Sequence, residues 1–126
     1  MYYRLAVSYT HLAAELKQRG FSAAVINPRY VKPLDRDLLS GYARRVSAVV
    51  TLEDHVLMGG FGSAVLEALS EMQIEVPVVR IGWPDRFIEH GKVEPLRAKY
   101  GISVEAALEK LAPYLQHKTR RQLVAR

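Results

Sequence analysis

Residues 46–63 read VSAVVTLEDHVLMGGFGS. The first seven, Val46–Leu52, are almost wholly apolar, the composition of a strand covered by helices on both faces. Glu53, Asp54 and His55 follow at the C-terminal end of that strand. Gly59, Gly60 and Gly62 then make a turn, and Ser63 stands where a helix start needs a cap. Ala64, Val65, Ala68, Leu69 and Met72 continue as a helix that is apolar over a wide arc and runs to about Met72. A second strand, Val76–Ile81 (VPVVRI), returns beside the first, with Pro77 placing its start near an edge. Strand, glycine turn, helix and strand make a βαβ unit, which predicts a parallel sheet.

Working outward, the same alternation continues on both sides. Downstream, Gly82–Asp85 (GWPD) reads as a turn and Arg86–Gly91 as a short polar segment. Val93–Tyr100 is a short helix stopped by Gly101. Ser103 caps a last helix with Val104, Ala107, Leu108, Leu111 and Leu115 inward. Upstream, Asp35 caps a helix to about Arg45 with Leu38, Leu39 and Tyr42 inward. Val31–Leu34 is an extended connection, since a proline disfavours helix in the residue before it. Phe21–Ile26 (FSAAVI) reads as a buried strand ended by Asn27-Pro28. Ala13–Arg19 reads as the end of a helix with Leu12 and Leu16 on one face and Gly20 as its stop. The whole predicts a three-layer α/β/α domain with a mostly parallel sheet. Three strands at most are legible, so the N-terminal edge of that sheet is undersupplied.

The 126 residues suit one domain, and 49% hydrophobic with 25% charged residues is ordinary for a globular chain. No apolar run approaches the roughly 20 residues of a membrane helix. The start has no secretory pattern, and there is no cysteine, which removes disulfides, thiolate metal sites and cysteine nucleophiles. A cytoplasmic location is the expectation. Most of the net charge of +5 comes from the last ten residues, where Lys118, Arg120, Arg121 and Arg126 stand without an acid. That tail, 117–126, is expected to be a solvated end. No stacking motif accompanies it, so nucleic acid is not the expected partner, nor is a membrane.

Four stretches, Asn27–Asp35 (NPRYVKPLD), Thr51–Val65 (TLEDHVLMGGFGSAV), Ile81–Gly91 (IGWPDRFIEHG) and Leu96–Gly101 with the following helix, resemble the C-terminal, transketolase-type domain of the 1-deoxy-D-xylulose-5-phosphate synthase family. The glycines at 59–62 are shared with transketolases and with the β subunits of 2-oxo-acid dehydrogenases. Pro84–Gly91 (PDRFIEHG) is the segment specific to the synthases. The resemblance spans about Ala13–Leu115, and the domain is taken as 13–116. It implies an enzyme that joins decarboxylated pyruvate to glyceraldehyde 3-phosphate with thiamine diphosphate and Mg2+, and whose product feeds isoprenoid, thiamine and pyridoxal synthesis. Upstream catalytic domains of such an enzyme hold the cofactor motifs, and the full-length enzyme is expected to be a homodimer. No Gly-Asp-Gly followed by a distant Asn occurs here, so no catalytic, cofactor-binding or metal residue is carried onto this sequence. The chain alone is expected to bind no cofactor and to be inactive, contributing domain packing and dimer contacts.

The stretch 1–12, MYYRLAVSYTHL, departs from the family, whose members begin this domain with an apolar strand. Val7–Leu12 (VSYTHL) is what one reading frame of a common transposon-type sequencing adapter encodes, so a replaced start is expected. The alternative is a divergent strand over Tyr2–Ser8.

Two polar groups are candidates for function. Glu53, Asp54 and His55 sit where open α/β sheets place ligand sites, and a histidine beside carboxylates can serve as a base or half a metal site. Adjacent residues on a strand point in different directions, so a buried polar network or a domain interface is the preferred reading. Asp85, Arg86, Glu89 and His90 form a second cluster, expected to be a contact surface and able to meet Glu53 or His55 at the same sheet end. The helix start at Gly59, Gly60, Gly62 and Ser63 offers unpaired N–H groups to an anion. No P-loop lysine follows it, and the structural reading is preferred. The rival functions are the equivalent domain of a transketolase or a 2-oxo-acid dehydrogenase β subunit, and a free-standing anion-binding α/β module. Trp83 is either a lid on the core or an anchor for a partner.

Overall fold

The computed structural model describes residues 6–115. Its elements, in order, are α1 (Ala6–Gln18), α2 (Arg36–Ala43), β1 (Val49–Val56), α3 (Phe61–Glu71), β2 (Val78–Trp83), α4 (Val93–Lys99) and α5 (Val104–Leu115). β1 and β2 pair in parallel, Val49 opposite Val78 and Leu52 opposite Ile81, with an irregularity between Leu52 and Val56. These are the only two strands among the described residues. The α/β character and the parallel pairing agree with the sequence reading.

Alternation along the strands distributes the core over two layers. Val50, Leu52, Val79 and Ile81 meet Leu12 and Leu16 of α1 and Ala107, Leu108 and Leu111 of α5. Val49 and Val78 turn the other way, toward Ala43 of α2 and Val65 and Leu69 of α3. Ile81, almost wholly buried, sits in the first layer. Each large aliphatic side chain buried in this way contributes about 1.5–3 kcal/mol.

The helix ends follow local chemistry. Asp35 accepts from the Leu38 N–H at 2.9 Å and opens α2. Ser103 accepts from the Ala106 N–H at 3.1 Å and opens α5. Gly20 and Gly101, at φ +82° and +70°, stop α1 and α4 in the left-handed region that glycine enters without penalty.

Several expectations are corrected. Residues 21–26 form no strand, because a strand exists through its ladder and this segment pairs with neither strand among the described residues; the Phe21 N–H donates instead to the Leu16 carbonyl at the end of α1. β1 starts three residues later than Val46 and runs on to Val56, so Glu53, Asp54 and His55 lie inside the strand and not beyond it. β2 likewise includes Gly82 and Trp83, which the sequence places in a turn. Leu38 and Tyr42 are 41% and 37% exposed, and Ala43 is the buried residue of α2. Ala6–Ser8 are helical, against the alternative strand over Tyr2–Ser8, whose first four residues lie outside the described residues. The tail at 117–126 also lies outside them.

Candidate functional site

The C-terminal end of the sheet carries two separate polar assemblies. The first is built around Glu53. By alternation Thr51, Glu53, Arg80 and Gly82 share the face that looks at α3. The Glu53 carboxylate, 6% exposed, accepts from the Phe61 N–H at 2.7 Å and from the Gly62 N–H at 3.0 Å. These are first-turn donors of α3, which have no partner inside their own helix. The negative charge also sits at the positive end of the helix dipole. The anion at this helix start is therefore the protein's own.

Glycines make room for that carboxylate. A Cβ on Gly60 would lie 2.1 Å from Glu53 Oε2 and 2.5 Å from the Val56 carbonyl. One on Gly82 would lie 2.9 Å from Glu53 Cγ. One on Gly62 would meet Thr51 Oγ1 at 2.7 Å and Arg80 Cδ at 2.8 Å. Gly59 has φ +70° and turns the chain into the helix. Ser63 is not the cap expected of it. Its hydroxyl donates to the Leu57 carbonyl at 2.8 Å and accepts from the Gly59 N–H at 3.1 Å. Arg80 Nη1 donates to the same carbonyl and to Ser63 Oγ, both at 3.1 Å, pinning the turn to β2.

The second assembly lies on the opposite side of the sheet. Asp54 accepts from Trp83 Nε1 at 2.7 Å and from Arg97 Nη2 at 2.6 Å. The indole packs on the α1–α5 core and its ring centre is 5.9 Å from that of Tyr100, so Trp83 is a lid on the core. Tyr100 donates to Glu89 Oε2 at 2.5 Å, and Lys99 pairs with the other oxygen of Glu89. The Lys99 ammonium, and after it the Tyr100 hydroxyl, hold the Glu89 carboxyl down at about 2. The same carboxylate raises Lys99 and Tyr100 above their ordinary values. The Arg86 guanidinium stacks over the Tyr100 ring at 4.8 Å.

The predicted site residues are thus brought together only in part. Glu53, Asp54 and His55 diverge: alternation sends Glu53 to α3 and Asp54 the other way, to Trp83 and Arg97, and within the irregular stretch between Leu52 and Val56 His55 ends at the surface. There His55 Nδ1 donates to the Val56 carbonyl at 2.8 Å. Arg86 and Glu89 approach the Asp54 assembly through Tyr100 and do not meet Glu53 or His55. Asp85 and His90 are exposed. Sequence reasoning missed Arg80, Arg97 and Tyr100. The period-2 pairing of Glu53 with Arg80 and Gly82 on one face is the signal for the first of these. Nothing local marks the other two.

Chemically, both oxygens of Glu53 and both of Asp54 are engaged by donors of the same domain. No group of three His, Asp or Glu side chains among the described residues is arranged to hold a metal. The two donors that a diphosphate would use at this helix start are spent on Glu53. These residues do not fit thiamine diphosphate or its metal.

The sequence profile of the family "Transketolase, C-terminal domain" matches residues 6–106. The chain belongs to this family. Among its relatives, this transketolase C-terminal domain is 72% identical over 101 residues to the 1-deoxy-D-xylulose-5-phosphate synthase of Acidobacterium capsulatum, covering 80% of this chain and 16% of that protein. It is 59% identical over 106 residues to the synthase of Methylacidiphilum infernorum, covering 84% and 17%. The resemblance seen in Pro84–Gly91 is thus to the right member of the family. A solved structure described as "Split gene transketolase, inactive beta4 tetramer" superposes with a TM-score of 0.77 and 37% identity, over 89% of this chain and 35% of that one. The chain spans about one sixth of the length of the curated relatives it matches.

Proposed function

We propose that this chain is the C-terminal domain of a 1-deoxy-D-xylulose-5-phosphate synthase, a thiamine-diphosphate- and Mg2+-dependent transferase that condenses pyruvate with glyceraldehyde 3-phosphate and releases CO2. The observation that carries the reading is the 72% identity to the Acidobacterium capsulatum synthase over 101 residues. In this reading the domain does no chemistry. It packs against the upstream catalytic domains of a cytoplasmic enzyme, supports its dimer, and is inactive alone. The engagement of Glu53 and Asp54 within the fold supports that division of labour. So does the similar split-gene transketolase, a β4 assembly described as inactive.

In the same reading the contact surface is the loop after β2. Phe87, in the synthase-specific segment, is fully exposed, and Arg86 beside it is held over Tyr100. Burying one such ring against a partner is worth about 1.5–3 kcal/mol. Exposed aromatic anchors flanked by arginine are frequent at the centres of interfaces.

The test is complementation. The purified chain, given pyruvate, glyceraldehyde 3-phosphate, thiamine diphosphate and Mg2+, should form no deoxyxylulose phosphate. Mixed with the Acidobacterium capsulatum synthase truncated of its own C-terminal domain, it should restore turnover, and Phe87→Asp should weaken that restoration at least tenfold. Turnover by the chain alone would overturn its inactivity. Failure to restore where the relative's own domain succeeds would overturn the assignment.

A further inference from the structure

Among the described residues Phe87 is the large apolar side chain that stands furthest into solvent, and yet the loop that carries it is fastened on both sides of it. Loop 84–91 leaves β2 directly after Trp83, and the Arg86 N–H turns back to the Pro84 carbonyl at 2.9 Å. One residue before Phe87, the Arg86 guanidinium lies 4.8 Å from the centre of the Tyr100 ring. Two residues after it, Glu89 accepts from the hydroxyl of that same tyrosine at 2.5 Å, and Lys99 pairs with its other oxygen. Tyr100 therefore brackets Phe87 with two contacts, one through the face of its ring and one through its hydroxyl.

The tyrosine is itself held. Its ring lies against Trp83, with 5.9 Å between the ring centres and 59° between the planes. Trp83 Nε1 donates to Asp54, and Asp54 also accepts from Arg97, three residues before Tyr100 in α4. β1, β2 and α4 thus meet at one carboxylate, and Tyr100, the residue that closes α4, is fixed by that meeting. A loop without such ties would let its phenylalanine fall back onto the nearest apolar surface, because a fully exposed ring forgoes the gain of burial.

We propose that Tyr100 is the positioning residue for Phe87: it holds loop 84–91 in its docking conformation before any partner arrives. The ties at 86 and 89 keep the ring out in solvent, and the loop is ordered within the domain rather than at the moment of binding. An aromatic anchor held in this way binds more tightly than the same side chain on a loose loop, since less freedom is lost on association. The identity of the partner, the upstream catalytic domains of a synthase, rests on the functional reading above. The rigidity of the loop does not.

The first measurement needs no partner. In the full chain, backbone order parameters from NMR relaxation at residues 86–90 should match those of β1 and β2, about 0.85, and should fall below about 0.6 in Tyr100→Leu. The double variant Arg86→Ala/Glu89→Ala cuts both ties from the exposed side, leaves the core untouched and should loosen the loop equally. It takes the place of Tyr100→Leu throughout if that chain does not fold. The second measurement is the restoration of turnover to the truncated Acidobacterium capsulatum synthase. Tyr100→Leu should weaken it at least fivefold beside the native Phe87 and by less than about twofold in a Phe87→Ala background, where a positioning residue has nothing left to hold. An equal loss in both backgrounds would make Tyr100 merely structural and overturn the proposal. It is overturned as well by a loop that is loose in the wild type, or that stays ordered once the ties are cut. If the wild-type chain restored no turnover, the choice of partner would fall, and the order parameters alone would decide whether Tyr100 holds the loop.

Discussion

The two flanks of β1 have opposite fates. Toward β2 and α3, the charged and turn groups are answered at close range: Glu53 by two helix-start amides, Asp54 by Trp83 and Arg97, the Leu57 carbonyl by Ser63 and Arg80, while the buried Thr51 hydroxyl has no hydrogen-bond partner among the described residues. Toward residues 21–46 the same strand opens on a cleft, and apolar residues such as Val25, Tyr30 and Leu38 stand exposed. Composition does not separate the two sides, since FSAAVI is as apolar as VPVVRI. The difference lies in what each segment has to pair with. Apolar, β-prone sequence becomes strand where a ladder partner and a second covering layer are both present, and remains an uncommitted wall where the partner is missing.

Glycine substitutions break the comparison most sharply. Gly60→Ala forces a Cβ onto Glu53 and the Val56 carbonyl, and should cost about 3 kcal/mol, the upper end for overpacking with a displaced hydrogen bond. Gly62→Val, against Thr51 and Arg80, belongs at about 2 kcal/mol, because the arginine stem can yield. Urea unfolding reads both, and a cost under a few tenths at Gly60 would mean that the turn is not closed around Glu53. Next comes Glu53→Ala, which strands the buried Gly62 N–H and the half-buried Phe61 N–H for about 2 kcal/mol. Inorganic phosphate should not raise the melting temperature of the wild type but should partly rescue this variant, a contrast that thermal shift can follow. Rescue of the wild type as well would mean that the helix start is open to ligands.

On the open side the sign reverses. A Cβ on Gly41, inside α2, would meet nothing within 4 Å. Gly41→Ala should therefore stabilise by about 0.5–1 kcal/mol through helix propensity alone. The smallest effect concerns Glu89. Its carboxyl is held at about 2, below the ordinary 4.5. A lowered folded pKa contributes stability that is present above 4.5 and lost as pH falls from there toward 2. The group is exposed, so the change is slight. The acid limb of stability against pH should be less steep in Glu89→Gln than in the wild type, and identical limbs would remove the Lys99–Tyr100 clasp from solution.

Legibility in the sequence tracks how local the cause is. The caps at Asp35 and Ser103 and the stops at Gly20 and Gly101 are readable because each acts within four residues. β1 and α3 are readable from composition and glycines, but the strand's end is not: Glu53 looks like the first polar residue of a loop, yet it is the third inward residue of the alternation that includes Val49 and Thr51. Phe21–Ile26 misleads because local propensity carries no information about a missing neighbour. Leu38 and Tyr42 mislead for the same reason, since the apolar face of α2 points partly at the cleft. Trp83 needs Arg97 and Tyr100, which lie 14 and 17 positions further on and carry no motif that announces them.

Glu53 and Asp54 are neighbours on one strand but commit the chain at very different stages. Glu53 bonds to amides eight and nine residues later, while Asp54 bonds to Arg97 across 43. The entropy of closing the longer loop exceeds that of the shorter by about 1.5 kcal/mol. Loop entropy alone therefore favours closing the β1–α3 clasp before β2 arrives and setting the Asp54 bridge after α4 has docked. Stopped-flow kinetics should then show slower folding on loss of Glu53 and faster unfolding on loss of Asp54, two adjacent side chains dividing the making of the domain from its keeping.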